Sequence, residues 1–413
     1  MTYSSERIVP STPSVMGNAT STSIGKLEQQ QKLPVIIVGA GPCGLVAAAT
    51  LQKRGVPFVI LEKASRSKLS SNVGSGFELA PTAVEILQGG LGIDVFEFMS
   101  TYQGLCIMTT EGKTIRKVRL SDDYKGGSVN RAELQNYLLE LIFSSPEDED
   151  GVLICGSGLE SYREEKGSSR VFARLTSGQL IGGCALLACD GINSKCRSIM
   201  YDTQTDPLHY CNSICYWGKT LVPKGSDLER EFLKTQRVQK TKKNNNLTTT
   251  DDSLHEYRNS CILTTATPKV PAAVFVVSTK KSLSTGEETT IMLNWDITIA
   301  SKDPPATRSG GGDSTRRGGG VLTEEEKNRL LSLGAVRQTP SGDRCKNCEH
   351  KTESVLGGIQ DFPFLENLLK ATPASDITEA GFYDRANLDL PYTSETKLVA
   401  LLGGKCIWCS IVL

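Results

Sequence analysis

A glycine-rich segment and a later carboxylate have the residue types and spacing that bind a dinucleotide. Residues 39–44 read Gly-Ala-Gly-Pro-Cys-Gly, so Gly39, Gly41 and Gly44 form a G-x-G-x-x-G motif. In this motif the first glycine allows a tight turn, the second lets a pyrophosphate approach the backbone, and the third lets a helix pack on a strand. Glu62 follows about 20 residues later, where a carboxylate can accept both hydroxyls of an adenosine ribose. Its charge would repel a 2′-phosphate, which disfavours NADP at this position.

The flanking residues predict the strand, turn, helix and second strand that the motif needs. Residues 35–38 and 58–61 are short apolar runs, typical of buried parallel strands, and residues 45–54 have helical spacing. The amino end of that helix would offer free N–H groups and a partial positive charge to phosphates. The predicted cofactor-binding residues at the ends of these elements also include Pro42, Cys43 and Lys63.

Two further segments distinguish FAD from NAD when they are taken together. Asn130 can cap a helix whose first turn carries Arg131, although a solvated surface arginine is the alternative interpretation. Asp190 and Gly191 follow an apolar run at 185–189, which places them at the carboxyl end of a strand, where ligands of α/β proteins bind. An ordinary strand-to-helix turn is the alternative there.

In this order the segments resemble the FAD-dependent aromatic hydroxylases, which include para-hydroxybenzoate hydroxylase, salicylate hydroxylase and related epoxidases. The resemblance runs from about Pro34 to Gly403, apart from two polar insertions. It implies an α/β fold in which a Rossmann-type FAD-binding domain with a parallel sheet is joined to a substrate domain with a mixed β-sheet. It also implies that Arg131 contacts FAD and that Gly76 lies in the segment that passes near the flavin ring. Asp190 and Gly191 match a second fingerprint that serves both FAD and the nicotinamide nucleotide.

That second fingerprint extends to Ser194 and Arg197, and residues 381–385 resemble the segment just before a third fingerprint. In the family, NAD(P)H reduces the flavin, which then reacts with O2 to give a C4a-hydroperoxide that transfers one oxygen atom. The resemblance therefore implies an FAD-dependent monooxygenase that hydroxylates or epoxidises a small aromatic or unsaturated substrate. No protein nucleophile is needed, and we assign no catalytic residue. Another flavin oxidoreductase on the same fold, such as a reductase or halogenase, and a non-catalytic protein with weak FAD binding remain open.

The chain departs from the family at the third fingerprint. There the family has Gly-Asp after a strand, and the Asp holds the ribityl chain of FAD. Here the apolar run at 398–403 is followed by Gly404, Lys405 and Cys406, and the sequence ends at Leu413. We expect a truncated or mis-joined product, with a genuine variant of altered function as the alternative. In either case we expect FAD to be held less firmly on its flavin side.

Composition changes along the 413 residues predict two domains and their boundaries. The predicted divisions are a disordered leader at 1–33, an FAD-binding domain with a β-meander at 34–204, a substrate domain at 205–380, and a return strand of the FAD-binding domain at 381–413. The substrate domain contains two polar segments that we predict to be disordered, 224–259 and 301–320. A hairpin at 105–118 and a capped helix at 323–333 are also predicted.

Charge and composition exclude several classes of protein. The 46 basic and 46 acidic residues cancel, which argues against a nucleic-acid partner. No apolar run approaches the roughly 18 residues that span a bilayer. The leader lacks the apolar centre of a secretory signal, and organelle targeting stays open. We therefore expect an intracellular, cytoplasmic protein that takes a small molecule and O2 as partners, in an oligomeric state that the sequence does not reveal.

The 13 cysteines favour reduced thiols, because their number is odd and they are scattered. Cys345 and Cys348 form one CxxC pair and Cys406 and Cys409 another, but their separation fits no familiar zinc site, so we predict no metal. Cys43 begins the phosphate-binding helix, a position that can lower a thiol pKa. We nevertheless favour a packing role for it.

Overall fold

The structure is a computed structural model of the chain. It describes residues 33–71, 76–102, 104–108, 114–121, 123–165, 167–201, 206–235, 262–265, 272–281, 288–305, 320–332, 359, 362–385 and 390–402. The predicted leader at 1–33, apart from Leu33, and the last residues, 403–413, therefore lie outside the described residues. The two predicted polar insertions are described only at their ends.

Strands and helices alternate in the first half of the described chain, and long strands dominate the second. The strands are Val35–Val38 (β1), Phe58–Glu62 (β2), Gly76–Leu79 (β3), Ser100–Thr101 (β4), Gly104–Met108 (β5), Thr114–Arg119 (β6), Gly127–Asn130 (β7), Leu153–Cys155 (β8), Leu159–Glu164 (β9), Val171–Leu175 (β10), Leu180–Gly183 (β11), Ala185–Ala188 (β12), Leu208–Pro223 (β13), Ile262–Thr265 (β14), Ala272–Lys281 (β15), Glu288–Ala300 (β16), Gly320–Val321 (β17), Ile377–Arg385 (β18) and Val399–Leu401 (β19). The α-helices are Pro42–Lys53 (α1), Arg66–Leu69 (α2), Pro81–Glu85 (α3), Arg131–Ile142 (α4), Pro146–Glu149 (α5), Lys195–Met200 (α6), Asp227–Thr235 (α7), Glu324–Leu331 (α8) and Pro363–Ala371 (α9). A π-helical segment, Ile86–Leu91, and 3-10 turns at Val95–Glu97 and Ala374–Asp376 complete the list.

A parallel sheet with the order β19-β12-β1-β2-β8 forms the centre of the first half. All four residues of β1 are buried, because α1 and α4 cover one face of the sheet and the β9–β10–β11 meander covers the other. Since the strands are parallel, the residues that follow β1, β2 and β12 meet at one edge. This is the Rossmann-type arrangement that the sequence predicted.

The second half is built on an eight-stranded mixed sheet with the order β17-β18-β13-β16-β15-β14-β5-β6. Its pairs are antiparallel except for β14 and β5. Helices α7, α8 and α9 cover one face, around the fully buried Trp295. The indole N–H of Trp295 lies 3.1 Å from both the Thr220 and the Thr372 hydroxyl oxygens, so its polar atom is satisfied. Gly218, opposite Trp295 on β13, leaves the room that the indole ring occupies.

One prediction about the insertions is wrong at its beginning. Residues 227–235 of the segment predicted to be disordered form α7, whose Phe232 is fully buried beside Phe364 of α9. The helix is short and lies next to a run rich in Lys, Asn and Thr, so composition concealed its apolar stripe. Its stability comes from packing on the sheet and α9, a contact that the local sequence does not encode.

The large sheet also crosses the predicted domain boundaries. The hairpin predicted at 105–118 is present as β5 and β6, but it joins the large sheet through β14. Strand β18 continues past residue 380 in that same sheet, and β8 pairs with β2 in the parallel sheet. Helix α8 has the predicted capping box between Thr323 and Glu326.

Candidate cofactor-binding site

The turn between β1 and α1 can be built only with glycine at two of its positions. Gly39 has a φ of +101°, and a Cβ there would lie 2.5 Å from the carbonyl oxygen of Cys189. A Cβ on Gly44 would collide with the carbonyl oxygen of Gly39. The helix therefore begins directly against the turn, as the motif predicted.

Gly41 is different, because the space beside it is open. A Cβ at this position would meet no atom within 4 Å, and the backbone φ of −71° is one that any residue adopts. Gly41 is the N-cap of α1, where no side chain caps the helix, and Pro42 follows as the first helical residue. The turn thus leaves a cradle at the amino end of a helix, which fits a phosphate group.

Glu62, the last residue of β2, directs its carboxylate at this turn. Oε2 accepts a hydrogen bond of 2.7 Å from the Ala40 N–H, and Oε1 accepts one of 2.8 Å from the Ala64 N–H. Both oxygens keep lone pairs that can accept ribose hydroxyls, because a carboxylate offers about four acceptor positions. Lys63 is the next residue along, and its side chain is exposed.

Arg131 stands in the first turn of α4, as predicted, and reaches the same region. Asn130 caps this helix, since its Oδ1 accepts a 3.0 Å hydrogen bond from the Ala132 N–H. Burial lowers the pKa of Arg131, and the Glu62 carboxylate acts against that shift. The guanidinium is therefore half-buried and within electrostatic reach of Glu62, which argues against a solvated surface arginine.

Asp190 and Gly191 follow β12 and abut the glycine turn. A Cβ on Gly39 would lie 3.2 Å from the Asp190 Cα, so the two fingerprints are in backbone contact. Asp190 Oδ2 accepts a 3.1 Å hydrogen bond from the Cys196 N–H, whereas Oδ1 is buried and has no partner among the described residues. A buried acceptor without a donor is costly, so this oxygen fits a site whose ligand supplies a hydroxyl.

Gly76 occupies a different position from the other predicted residues. Its N–H donates a 3.0 Å hydrogen bond to Oδ1 of the buried Asn294, on β16 of the large sheet. This amide therefore ties β3 to that sheet. Residues 72–75, just before Gly76, lie outside the described residues.

Arg197 of the second fingerprint forms a buried ion pair that sequence reasoning missed. Its Nε lies 2.5 Å from Oδ2 of Asp206 and its Nη2 lies 2.9 Å from Oδ1, a bidentate arrangement. Asp206 raises the pKa of Arg197. The pair joins α6 to the segment just before β13, so Arg197 has a structural partner.

The thiols of Cys43 and Cys189 meet at the turn. Their Sγ atoms are 3.9 Å apart, and Cys43 is exposed whereas Cys189 is buried. The hydrogen bond with Cys189 lowers the pKa of Cys43 to about 7, and the same contact together with burial raises the pKa of Cys189. The packing role favoured for Cys43 stays a prediction, and only the parallel register of β1 and β12 could have identified Cys189 as its partner.

Lys219 is a second residue that sequence reasoning did not find. It lies on β13 opposite Asn294, on the face of the large sheet away from the helices. Burial lowers the pKa of Lys219, while Asp376 and Glu133 act in the opposite direction. Arg131 is also close enough to lower it. The side chain therefore lies between the sheet and the first turn of α4.

Within the described residues, no group of three His, Cys, Asp or Glu side chains is arranged to hold a metal ion. The CxxC cysteines, Cys345, Cys348, Cys406 and Cys409, lie outside those residues. No helix in the described part of the chain has the length and apolar character needed to cross a membrane.

Comparison with known proteins finds similarity over the part of the chain that contains these residues. Residues 32–201 match the family model described as FAD binding domain. Asperlicin C monooxygenase of Petromyces alliaceus is 29% identical over 172 residues, which make up 40% of this chain and 35% of that protein. 3-Hydroxybenzoate 6-hydroxylase 1 of Aquipseudomonas alcaligenes is 28% identical over 172 residues, or 40% of this chain and 41% of that protein. The matched regions thus span less than half the length of these curated relatives.

A solved structure extends the likeness to the whole fold. The crystal structure of CtdE in complex with FAD and substrate 4 aligns with a TM-score of 0.61 at 15% identity, over 90% of this chain and 74% of that one. At such low identity the likeness concerns the fold alone.

Fold and site together define a class of protein, in which a Rossmann-type FAD-binding domain is joined to a mixed β-sheet. Within that class, residues 32–201 are similar to an FAD binding domain, and the chain is similar over about 40% of its length to a curated monooxygenase and a curated hydroxylase, in line with the resemblance in its sequence.

Proposed function

We propose that this protein is an FAD-dependent monooxygenase that uses NAD(P)H and O2 to hydroxylate or epoxidise a small aromatic or unsaturated substrate. The observation that carries the proposal is the open cradle at Gly41, with the Glu62 carboxylate fixed beside it by the Ala40 N–H. The match to an FAD binding domain and the activities in the names of the two curated relatives support it.

Each residue of the site has a defined task in this proposal. The amino end of α1 and the Gly41 backbone bind the diphosphate, and Glu62 binds the adenosine ribose. Arg131, in the first turn of α4, contributes positive charge near Glu62. Asp190 accepts a hydrogen bond from a cofactor hydroxyl through Oδ1. When bound, FAD would take reducing equivalents from NAD(P)H and supply the activation of O2, which no side chain of the protein can provide.

The substrate would lie against the face of the large sheet that carries Lys219 and Asn294. The hydrogen bond from Gly76 to Asn294 holds this face against the strand expected near the flavin. A half-buried ammonium group favours a substrate with an acidic substituent, such as a phenol or a carboxylate, because it can pair with the deprotonated form. Polar groups in an otherwise dry pocket would fix the orientation of the ring. We propose an intracellular compartment, because the 13 cysteines are odd in number and scattered, which favours reduced thiols.

The first experiment measures whether the purified full chain binds FAD. Reconstituted protein is passed through a desalting column, and the visible flavin absorption that remains with the protein is recorded. Glu62→Gln should retain less flavin than wild type. Glu140 is an exposed carboxylate on α4, so Glu140→Gln is the matched control and should retain as much flavin as wild type. Protein that takes up no FAD contradicts the proposal.

The second experiment separates the monooxygenase from its alternatives. NAD(P)H oxidation and O2 consumption are followed while phenols and aromatic acids are added, and products are identified by mass spectrometry. A monooxygenase incorporates one atom of ¹⁸O2 into the product. A flavin reductase oxidises NAD(P)H without a hydroxylated product, and that result would refute the assignment while leaving FAD binding intact.

A further inference from the structure

We propose that Cys43 and Cys189 form a peroxide-sensitive pair that closes into a disulfide across the phosphate turn. Cys43 lies in the first turn of α1, and Cys189 directly follows β12. Their Sγ atoms are 3.9 Å apart, whereas a disulfide needs about 2 Å, so a modest rotation of the side chains completes the bond.

The backbones of the two segments lie close together beside the two sulfurs. Val38 pairs with Ala188 in parallel register, and the Cys189 N–H donates a 2.8 Å hydrogen bond to the Val38 carbonyl. A Cβ built on Gly44 would lie 3.4 Å from the Cys189 Cβ. The start of α1 and the end of β12 are therefore packed directly against each other where the sulfurs meet.

The two thiols differ in the way that a reactive pair requires. Cys43 is exposed, sits at the amino end of a helix, and has the lower pKa, so it is the thiol that attacks an oxidant. Cys189 is buried, which protects it from direct oxidation, yet its sulfur is the neighbour of Cys43. Cys189 therefore acts as the resolving thiol.

The oxidant is a hydroperoxide, with hydrogen peroxide as the simplest case. The Cys43 thiolate attacks one peroxide oxygen, the O–O bond breaks, and hydroxide leaves and takes up a proton as water. This oxidises Cys43 to a sulfenic acid. The Cys189 sulfur then attacks the Cys43 sulfur, the S–O bond breaks, and the Cys189 proton leaves with the hydroxyl as a second water. The two thiols have lost two electrons, and the peroxide has gained them.

The position of the pair couples its oxidation to the cofactor. Cys43 lies between Gly41 and Gly44, so a diphosphate in the cradle would cover its thiol. FAD should protect Cys43, and the disulfide should weaken FAD binding, because the first turn of α1 is then held against β12. This coupling rests on the proposed function, whereas formation of the disulfide does not.

The test treats the 413-residue chain with hydrogen peroxide, alkylates the remaining thiols, and maps cross-linked peptides by mass spectrometry without reduction. We expect a peptide that joins Cys43 to Cys189 and that dithiothreitol releases. Cys43→Ser and Cys189→Ala should both abolish it. Cys184→Ser, a half-buried cysteine just before β12, is the matched control and should leave it unchanged. A stable Cys43 sulfenic acid trapped by dimedone without the cross-link, or a Cys43 that stays reduced, overturns the proposal.

Adding FAD then tests the coupling by itself. At an FAD concentration of about 100 times its Kd, roughly 1% of the turns stay empty, so oxidation should slow by about 100-fold. Equal rates with and without FAD refute the coupling. A chain that forms the disulfide but binds no FAD refutes the proposed function and leaves the disulfide established, so the two failures are distinguishable.

Discussion

Replacing Gly41 with alanine should weaken FAD binding by at least about 10-fold and leave the fold intact, which is the sharpest test of the phosphate cradle. The added methyl group meets no protein atom within 4 Å, and alanine adopts a φ of −71° without strain. Alanine is a poorer N-cap than glycine by roughly 0.5–1 kcal/mol. The lower entropy of the unfolded chain offsets this by about 0.4–1 kcal/mol, so the free energy of unfolding should barely change.

The same methyl group occupies the space where the diphosphate would approach the backbone. A hydrogen bond between a backbone N–H and a charged oxygen contributes about 1.5–3 kcal/mol. Losing one such bond raises the Kd by roughly 10-fold to 150-fold, because 1.4 kcal/mol corresponds to about a factor of ten. A second lost bond would multiply this effect.

The assay is titration of the apoprotein with FAD, followed by flavin fluorescence, together with thermal unfolding of each apoprotein. Two glycine variants serve as comparisons. Gly89→Ala, where a Cβ also meets nothing within 4 Å, should bind and unfold like wild type. Gly44→Ala should lose stability as well as binding, because its Cβ collides with the Gly39 carbonyl. If Gly41→Ala binds FAD as tightly as wild type, the turn does not hold the diphosphate and the reasoning fails.

Three further substitutions test the rest of the site. Glu62→Gln places a neutral amide where the Ala40 N–H now meets a carboxylate, so ADP-ribose should bind about 10-fold more weakly. The preference for ADP-ribose over 2′-phospho-ADP-ribose, measured by calorimetry, should also shrink. An unchanged preference counts against the role of the charge. Asp206→Asn leaves Arg197 buried without its counter-charge and should lower the free energy of unfolding, measured in urea, by about 3–5 kcal/mol. A decrease below about 1 kcal/mol would mean that water reaches the ion pair. Lys219→Met should raise KM for an acidic substrate at least about tenfold and leave the Kd of FAD unchanged. Because burial lowers the pKa of Lys219, its contribution should be present at low pH and fade as pH rises through that lowered pKa, a trend that a pH profile of KM would reveal or contradict.

Features that depend on neighbouring residues were predictable from the sequence. The strand, turn and helix around Gly39 and Gly44 follow from an apolar run and a glycine pattern within one short segment. The Asn130 cap and the box between Thr323 and Glu326 are likewise local, because each joins groups within one helical turn. These are the interactions for which chain position and spatial position coincide.

Features that depend on distant contacts were not predictable. The helix that contains Phe232 is stabilised because α9 and the large sheet bury that side chain. The sequence of residues 227–235 does not indicate this contact. The hairpin of β5 and β6 was recognisable, but its partner β14 is more than a hundred residues away in sequence. Lys219 looks like any polar residue in an alternating strand, and only its burial beside Arg131 gives it significance.

Sheet register explains why the site contains more than the motif revealed. In a parallel sheet, the residue after one strand contacts the residue after its neighbour, so the pairing of Val38 with Ala188 places Gly39 against Cys189. Position 39 therefore requires glycine for two reasons: the turn has a positive φ, and a Cβ would collide with the Cys189 carbonyl oxygen. The same register places Cys189 beside Cys43 and Asp190 beside the cradle. A glycine motif therefore identifies one side of the cofactor site. The residues that follow the neighbouring parallel strand form the adjacent side. Here that strand is β12, and the residues after it supply the thiol of Cys189 and the carboxylate of Asp190.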